Sequence, residues 1–523
     1  MALTETRPDT AGPTPSGDDR PAPGSGEQLL GTGDHVALGR LLIGASLMFG
    51  IVWSAALVAA GIDALTSNGL LGTWAPGLAT SALVGLALLT AAPLLLGVAV
   101  IVVPLQLGSP AIAFPRALAL AVWTWALSGL VFLVSVAIDG GVGGTNDQAT
   151  RLGNVALGAV LAALGLGAVC LATTVMSHRP EGMTLPKVPF LSWASLLAAS
   201  LWIATLASAF AHIVLGQVSR AGATTLGVIF ADGVAWLLRA PAVYVLAIPV
   251  LGIALDAAST ASGKRLRQYG VGQGLLGAYA ILSFGAWAQL PAAVNTALWT
   301  IFALLIAVPI LGTLGAVGDI LRQGRSKATP ALVCSVFSLF LLLGSVAAGL
   351  TMALDRAGSG QIFDLNQVAL ASAQGYFVIG AALLGGLGGL FQWAPQIWGR
   401  DTATPPSIGA GLLVLAGAAV LGTGGLGQGL SQQNGADTAA QFWGLVTAVG
   451  GVLVVLGILG TFAAMLRAAR DADDGGSTEV EGLTLEWAFP LPVQGGTVPE
   501  DLPAVTSPYP LADAREGGTE ERS

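Results

Sequence analysis

Long apolar runs, cut at short polar intervals, dominate this chain from residue 38 to residue 466. Twelve of them lie at 38–62, 78–104, 115–138, 152–177, 190–216, 228–258, 270–290, 295–318, 330–354, 366–393, 406–428 and 440–466. Each is about 20 residues or longer, enough as a helix to cross a hydrocarbon core of about 30 Å. The pattern predicts an all-α membrane protein, a bundle of twelve transmembrane helices. Orientation follows from the basic residues between the runs, because loops rich in Lys and Arg stay in the cytoplasm. One set of loop and helix ends carries Arg40, Arg116, Arg179, Lys187, Lys264, Arg265, Arg267, Arg322, Arg325, Lys327, Arg400, Arg467 and Arg470. The opposite set carries Arg151, Arg220 and Arg356. This asymmetry predicts that both termini are cytoplasmic, in a bacterial-type cell membrane.

The ends of the chain read differently. Residues 1–33 are rich in Pro, Gly, Asp and Thr without an apolar run, which predicts a disordered cytoplasmic tail. No basic stretch leads into a short apolar core there, so the first helix is expected to act as the targeting segment. Residues 34–470 hold the twelve-helix domain, and 471–523 form an acidic cytoplasmic C-terminal tail.

Composition sharpens the class. The 523 residues are 54% apolar and 10% charged, as a polytopic membrane protein requires. The 73 glycines fit helices that associate in lipid through small residues. The net charge of −8 comes partly from acidic tails and argues for no nucleic-acid partner; the lipid bilayer is the partner implied. Cys170 and Cys334 each lie inside an apolar run, which suits neither a disulfide framework nor a zinc motif. Three histidines are present in all, His35, His178 and His212.

The sixth run is the unusual one, because it contains Arg239, and a charge inside a membrane helix is costly and tends to mark a site. The stretch Trp236-Leu-Leu-Arg-Ala-Pro-Ala-Val-Tyr244, followed by Ala-Ile-Pro-Val-Leu-Gly-Ile, resembles the sixth transmembrane helix of heme-copper oxidase subunit I. That family carries Trp-Phe-Phe-Gly-His-Pro-Glu-Val-Tyr there. Other segments are similar in the same order. They are Gly33-Asp-His-Val-Ala-Leu-Gly39 at the first helix, Val103-Pro-Leu-Gln-Leu-Gly-Ser-Pro-Ala-Ile-Ala-Phe-Pro-Arg116 and Gly182-Met-Thr-Leu-Pro-Lys-Val-Pro-Phe-Leu-Ser-Trp193. Gln392-Trp-Ala-Pro-Gln-Ile-Trp-Gly-Arg400, Leu483-Thr-Leu-Glu-Trp487 and Leu502-Pro-Ala-Val-Thr-Ser-Pro-Tyr-Pro-Leu511 complete the series.

The resemblance implies a cytochrome c oxidase-like scaffold, an oxidoreductase with two hemes and one copper on six histidines. Counting from the matched segments, the heme-ligand positions fall on Ala82, Ala373 and Gly375, and the copper-ligand positions on Ala240, Gln289 and Leu290. The proton-path positions fall on Ala111, Ala242 and Thr313, and the heme-propionate arginines near Gln432 and Gln433. Tyr244 is retained. Iron in a heme needs an imidazole, thiolate or thioether, and copper needs nitrogen or sulfur donors. Ala, Gly and Leu supply none.

The expectation is therefore a degenerate member, without heme, copper or catalysis: a pseudo-oxidase with a structural, assembly or regulatory role beside other respiratory-complex subunits. A solute transporter on the same scaffold and a working cytochrome c oxidase are the competing readings. Helices 2, 6, 7 and 10 are expected to close inward on small residues, and Arg239 to pair with Asp364 across the emptied site, in preference to Asp232.

Overall fold

The computed structural model describes residues 32–65, 70–72, 74–220, 236–237, 241–289, 294–357, 367–431, 437–473, 482–491, 493, 496, 498–499 and 501–520. Among them are twelve helices long and apolar enough to span a membrane. In order these are α1 (His35–Asp63), α2 (Gly77–Gln106), α3 (Pro115–Ala137), α4 (Asp147–Ser177), α5 (Phe190–Leu215) and α6 (Tyr244–Ser262). They continue with α7 (Tyr269–Gln289), α8 (Thr296–Arg322), α9 (Pro330–Ala357), α10 (Val368–Gln392), α11 (Thr404–Gln428) and α12 (Gln441–Asp471).

Side-chain caps set several of the starts. Asp34 Oδ1 accepts from Val36 N–H at 2.9 Å, Asn146 Oδ1 from Ala149 N–H at 3.2 Å, and Asn295 Oδ1 from Leu298 N–H at 3.1 Å. Prolines set the irregularities. In α2, Leu86–Ala91 is a π-helical stretch, and Ala92 N–H bonds Ala87 O. The next donor in that register would be residue 93, which is a proline and has none. The Leu88 carbonyl it leaves free accepts the Trp125 indole N–H of α3 at 3.2 Å. In α8 the helix breaks at Ile306, ahead of Pro309, for the same reason. The last turns of α7, Ser283–Gln289, tighten into a 3₁₀ helix instead of continuing as α-helix.

The apolar faces divide the helices into layers. In α2, α6 and α10 the most apolar windows are 94%, 78% and 78% buried, whereas in α3, α5 and α8 they are 33% buried. The first three are therefore the axis of the bundle, and the others turn leucines such as Leu120, Leu127 and Leu304 outward. An exposed apolar face is what lipid demands. Glycines let the central helices meet. A Cβ on Gly386 of α10 would lie 2.8 Å from Leu94 of α2, and one on Gly385 would lie 2.8 Å from Val250 of α6.

The stretch after α12 lies over the basic face. Arg265 pairs with Asp513 at 2.8 Å and Glu516 at 3.0 Å, and Lys187 Nζ donates to Val505 O at 3.2 Å. Tyr509 Oη accepts from Leu266 N–H at 3.1 Å. A short helix, Pro510–Glu520, closes this segment.

Candidate functional site

Two places in the bundle bring candidate functional groups together. The first is the centre, where the resemblance puts the cofactors. Ala82 of α2 and Ala373 of α10 are fully buried. The helices touch there: a Cβ on Gly375 would sit 3.5 Å from Leu83 Cδ1, ordinary van der Waals distance. On the far side of α10, a Cβ on Gly425 of α11 would lie 3.0 Å from Ala373. The Trp53 indole of α1 lies flat against Gly85, where a Cβ would come within 2.3 Å of the ring.

Aromatic rings occupy the α6–α8 side. The Trp236 indole donates to Ala286 O at 3.0 Å and packs tilted against Trp287, 5.2 Å between ring centroids. Phe302 Cβ and Tyr244 Oη lie 2.5 and 3.1 Å from a Cβ built on Gly285. Gln289 is half-buried, with its Nε2 3.5 Å from Gly285 O. Ala242 and Thr313 are buried, and the Thr313 hydroxyl donates to Pro309 O at 2.8 Å. Ala111 lies at the basic end of α2, its carbonyl accepting from the Ser109 hydroxyl at 2.8 Å. Ala240, Leu290, Gln432, Gln433, Asp232 and the Arg239–Asp364 pair lie outside the described residues.

The three histidines are spread over the bundle. His35 is buried at the start of α1, His178 faces Ser109 and the Ala111 carbonyl at 3.4 and 3.2 Å, and the His212 ring bonds Ser208 O at 2.8 Å. Among the described residues no three His, Cys, Asp or Glu side chains converge. A heme needs a soft or nitrogen donor aimed at its iron. The alkyl side chains at positions 82 and 373, on helices already in contact, do not fit one.

The second place was not singled out from the sequence. Near the basic end of α2, the Gln106 amide joins two buried carboxyl groups, donating from Nε2 to Asp256 Oδ2 and to Glu486 Oε1, both at 3.2 Å. Its own oxygen accepts from the Ser192 backbone N–H at 3.2 Å and hydroxyl at 2.7 Å. A backbone N–H can only donate, which fixes the amide's orientation. Asp256 Oδ2 also accepts from Leu191 N–H at 2.9 Å, at the first turn of α5, where the helix dipole favours an anion. Glu486, on a 3₁₀ turn after α12, has instead the Trp393 indole N–H at 3.4 Å from Oε1, and Oε2 has no hydrogen-bond partner among the described residues. Burial pushes the Glu486 carboxyl above the ordinary range. Two carboxyls joined through one amide in such a place do not both ionise, so they hold a proton between them.

Gln106, Ser192 and Glu486 all lie in segments that carried the family resemblance, and Asp256 is a carboxylate near the end of an apolar run. That was the available signal.

The comparisons agree with this architecture. The family model described as "Cytochrome C and Quinol oxidase polypeptide I" matches residues 37–488. A "Heme-copper oxidase subunit I+III" of Aeropyrum pernix is 29% identical over 344 residues, 59% of this chain and 41% of that protein. A "Putative cytochrome c oxidase subunit 1-beta" of Streptomyces avermitilis is 28% identical over 337 residues, 60% of this chain and 59% of the relative. The "Quinol oxidase subunit 1" of Bacillus subtilis is 25% identical over 337 residues, 59% of this chain and 51% of the relative. The chain thus spans about half the length of these relatives. With the family model covering the whole bundle and the twelve helices in place, the chain belongs to the cytochrome c and quinol oxidase polypeptide I family.

Proposed function

We propose that this chain is a cofactor-free member of its family: a pseudo-oxidase, catalytically inactive, that serves as a structural, assembly or regulatory component of a respiratory membrane complex. Its basic face and both termini lie in the cytoplasm, on the asymmetry of Lys and Arg. One observation carries the reading: α2 and α10 meet at Leu83 and Gly375, beside the alanines that stand where heme ligands are expected. The packed aromatic cluster around Tyr244 supports it on the α6–α8 side.

Tyr244 is the one family redox residue kept, so it provides the test. Deleting the gene in its native host is expected to lower the amount of assembled terminal oxidase on a native gel and the rate of respiration. Both are restored by the wild-type chain and equally by Tyr244→Phe. Unchanged oxidase assembly in the deletion strain contradicts the partner role. Rescue lost with a stably inserted Tyr244→Phe chain contradicts the non-catalytic one.

A further inference from the structure

A polar cleft opens on the basic face between the ends of α6 and α10, the starts of α9 and α11 and the turn that carries Glu486. It measures about 620 Å³, room for a polar headgroup. Arg325 and Lys327, on the α8–α9 loop, line it. Both are exposed, and neither side chain has a hydrogen bond or ion pair among the described residues. The loop is nonetheless held in place: Lys327 N–H bonds Ala261 O at 3.2 Å, and Thr329 Oγ1 caps Leu332 N–H at 3.2 Å.

Deeper in the cleft are Gln392 and Thr402, each 7% exposed. Neither side chain has a hydrogen-bond partner among the described residues, so their polar atoms face the cleft free to bind a ligand. The indole N–H of Trp487, which also lines the cleft, is buried and has no partner among the described residues. Two helix N-termini offset two C-termini, so the formal charges decide the sign. Two cations face one carboxylate, Asp401, which burial moves above the ordinary range.

We infer that this cleft binds a phosphate-bearing anion, with Arg325 and Lys327 taking the charge and Gln392, Thr402 and Trp487 donating hydrogen bonds to its oxygens. Guanidinium and ammonium groups beside neutral donors are a phosphate-recognition set. The cleft opens at the ends of membrane-spanning helices, so the phosphate comes from an anionic phospholipid or from a soluble phosphate, and the test separates them.

The purified full chain is incorporated in nanodiscs, and retained phosphatidylglycerol is counted by native mass spectrometry against phosphatidylcholine, with and without inorganic phosphate. Wild-type protein is expected to retain phosphatidylglycerol selectively. Arg325→Ala with Lys327→Ala, two exposed loop changes, should weaken retention about tenfold or more. Asp401→Asn should strengthen it, a sign that mere loss of folding does not give. Displacement by millimolar inorganic phosphate assigns the site to the phosphate group alone, and no displacement assigns it to the lipid. Equal retention in the wild type and the double variant overturns the inference, as does weaker retention in Asp401→Asn.

Discussion

Single residues in this bundle are placed by what the backbone lacks. Pro93 removes one donor, the π turn of α2 shifts the register, and the Trp125 indole satisfies the carbonyl that results. Trp125→Phe keeps the ring and drops the N–H. It should destabilise the protein by about 1–3 kcal/mol, the cost of an unpaired buried carbonyl, read as a lower melting temperature in detergent. Glu486 makes a pH prediction. Its carboxyl is held above the ordinary 4.5, so the folded state keeps a proton that the unfolded chain releases. Stability should therefore fall as pH rises from about 4.5 through the folded value. Asp256, Tyr269 and Tyr509 are the other titratable groups around this site. Glu486→Gln keeps the acceptor for Gln106 and Trp393 and should flatten the fall in melting temperature as pH rises above about 4.5. An unchanged slope would mean that Glu486 is not the group responsible. Ala82 and Ala373 could be found by counting from matched motifs, but this pair could not. Gln106 and Glu486 are 380 residues apart, and only the fold joins them.

Helices meet here where glycines allow backbones to approach. On the α11–α12 seam, a Cβ on Gly457 would lie 2.5 Å from Val414 Cγ2 and 2.8 Å from Ala410 O, and one on Gly417 would lie 2.8 Å from Gly450 O. A carbonyl cannot swing away as a side-chain tip can. Gly457→Val should therefore cost about 1–3 kcal/mol by overpacking. Gly165→Ala, where nothing lies within 4 Å, should be neutral or slightly stabilising. Equal melting temperatures for both variants would show that the seam yields. At this scale hydrophobic length was sufficient to find all twelve spans, because a membrane imposes a minimum run. It was less informative about their interiors. The 3₁₀ end of α7 and the π stretch of α2 depend on prolines and on neighbours such as Trp125 and Phe302.

For the whole molecule, the family scaffold of twelve helices is kept, and its central helices meet at small residues. Cavity terms of about 24 cal/mol per Å³ penalise an empty heme site, and glycines on α10 bring Leu83 and Leu94 of α2 and Val250 of α6 close to its backbone. The close approach of α2 and α6 to α10 was legible in Gly375, Gly385, Gly386 and Gly389, because small residues let helix backbones meet. Which helix supplies each filling contact was not legible, since Trp53 from α1 and Gly425 from α11 reach the centre through tertiary packing alone. The central claim is that this chain holds no redox cofactor. The most direct measurement is a reduced-minus-oxidised absorbance spectrum of the purified protein, expressed in a host that makes its own heme and quantified by pyridine hemochrome. The account predicts no heme bands above trace level. Bands corresponding to one or more hemes per chain would contradict it.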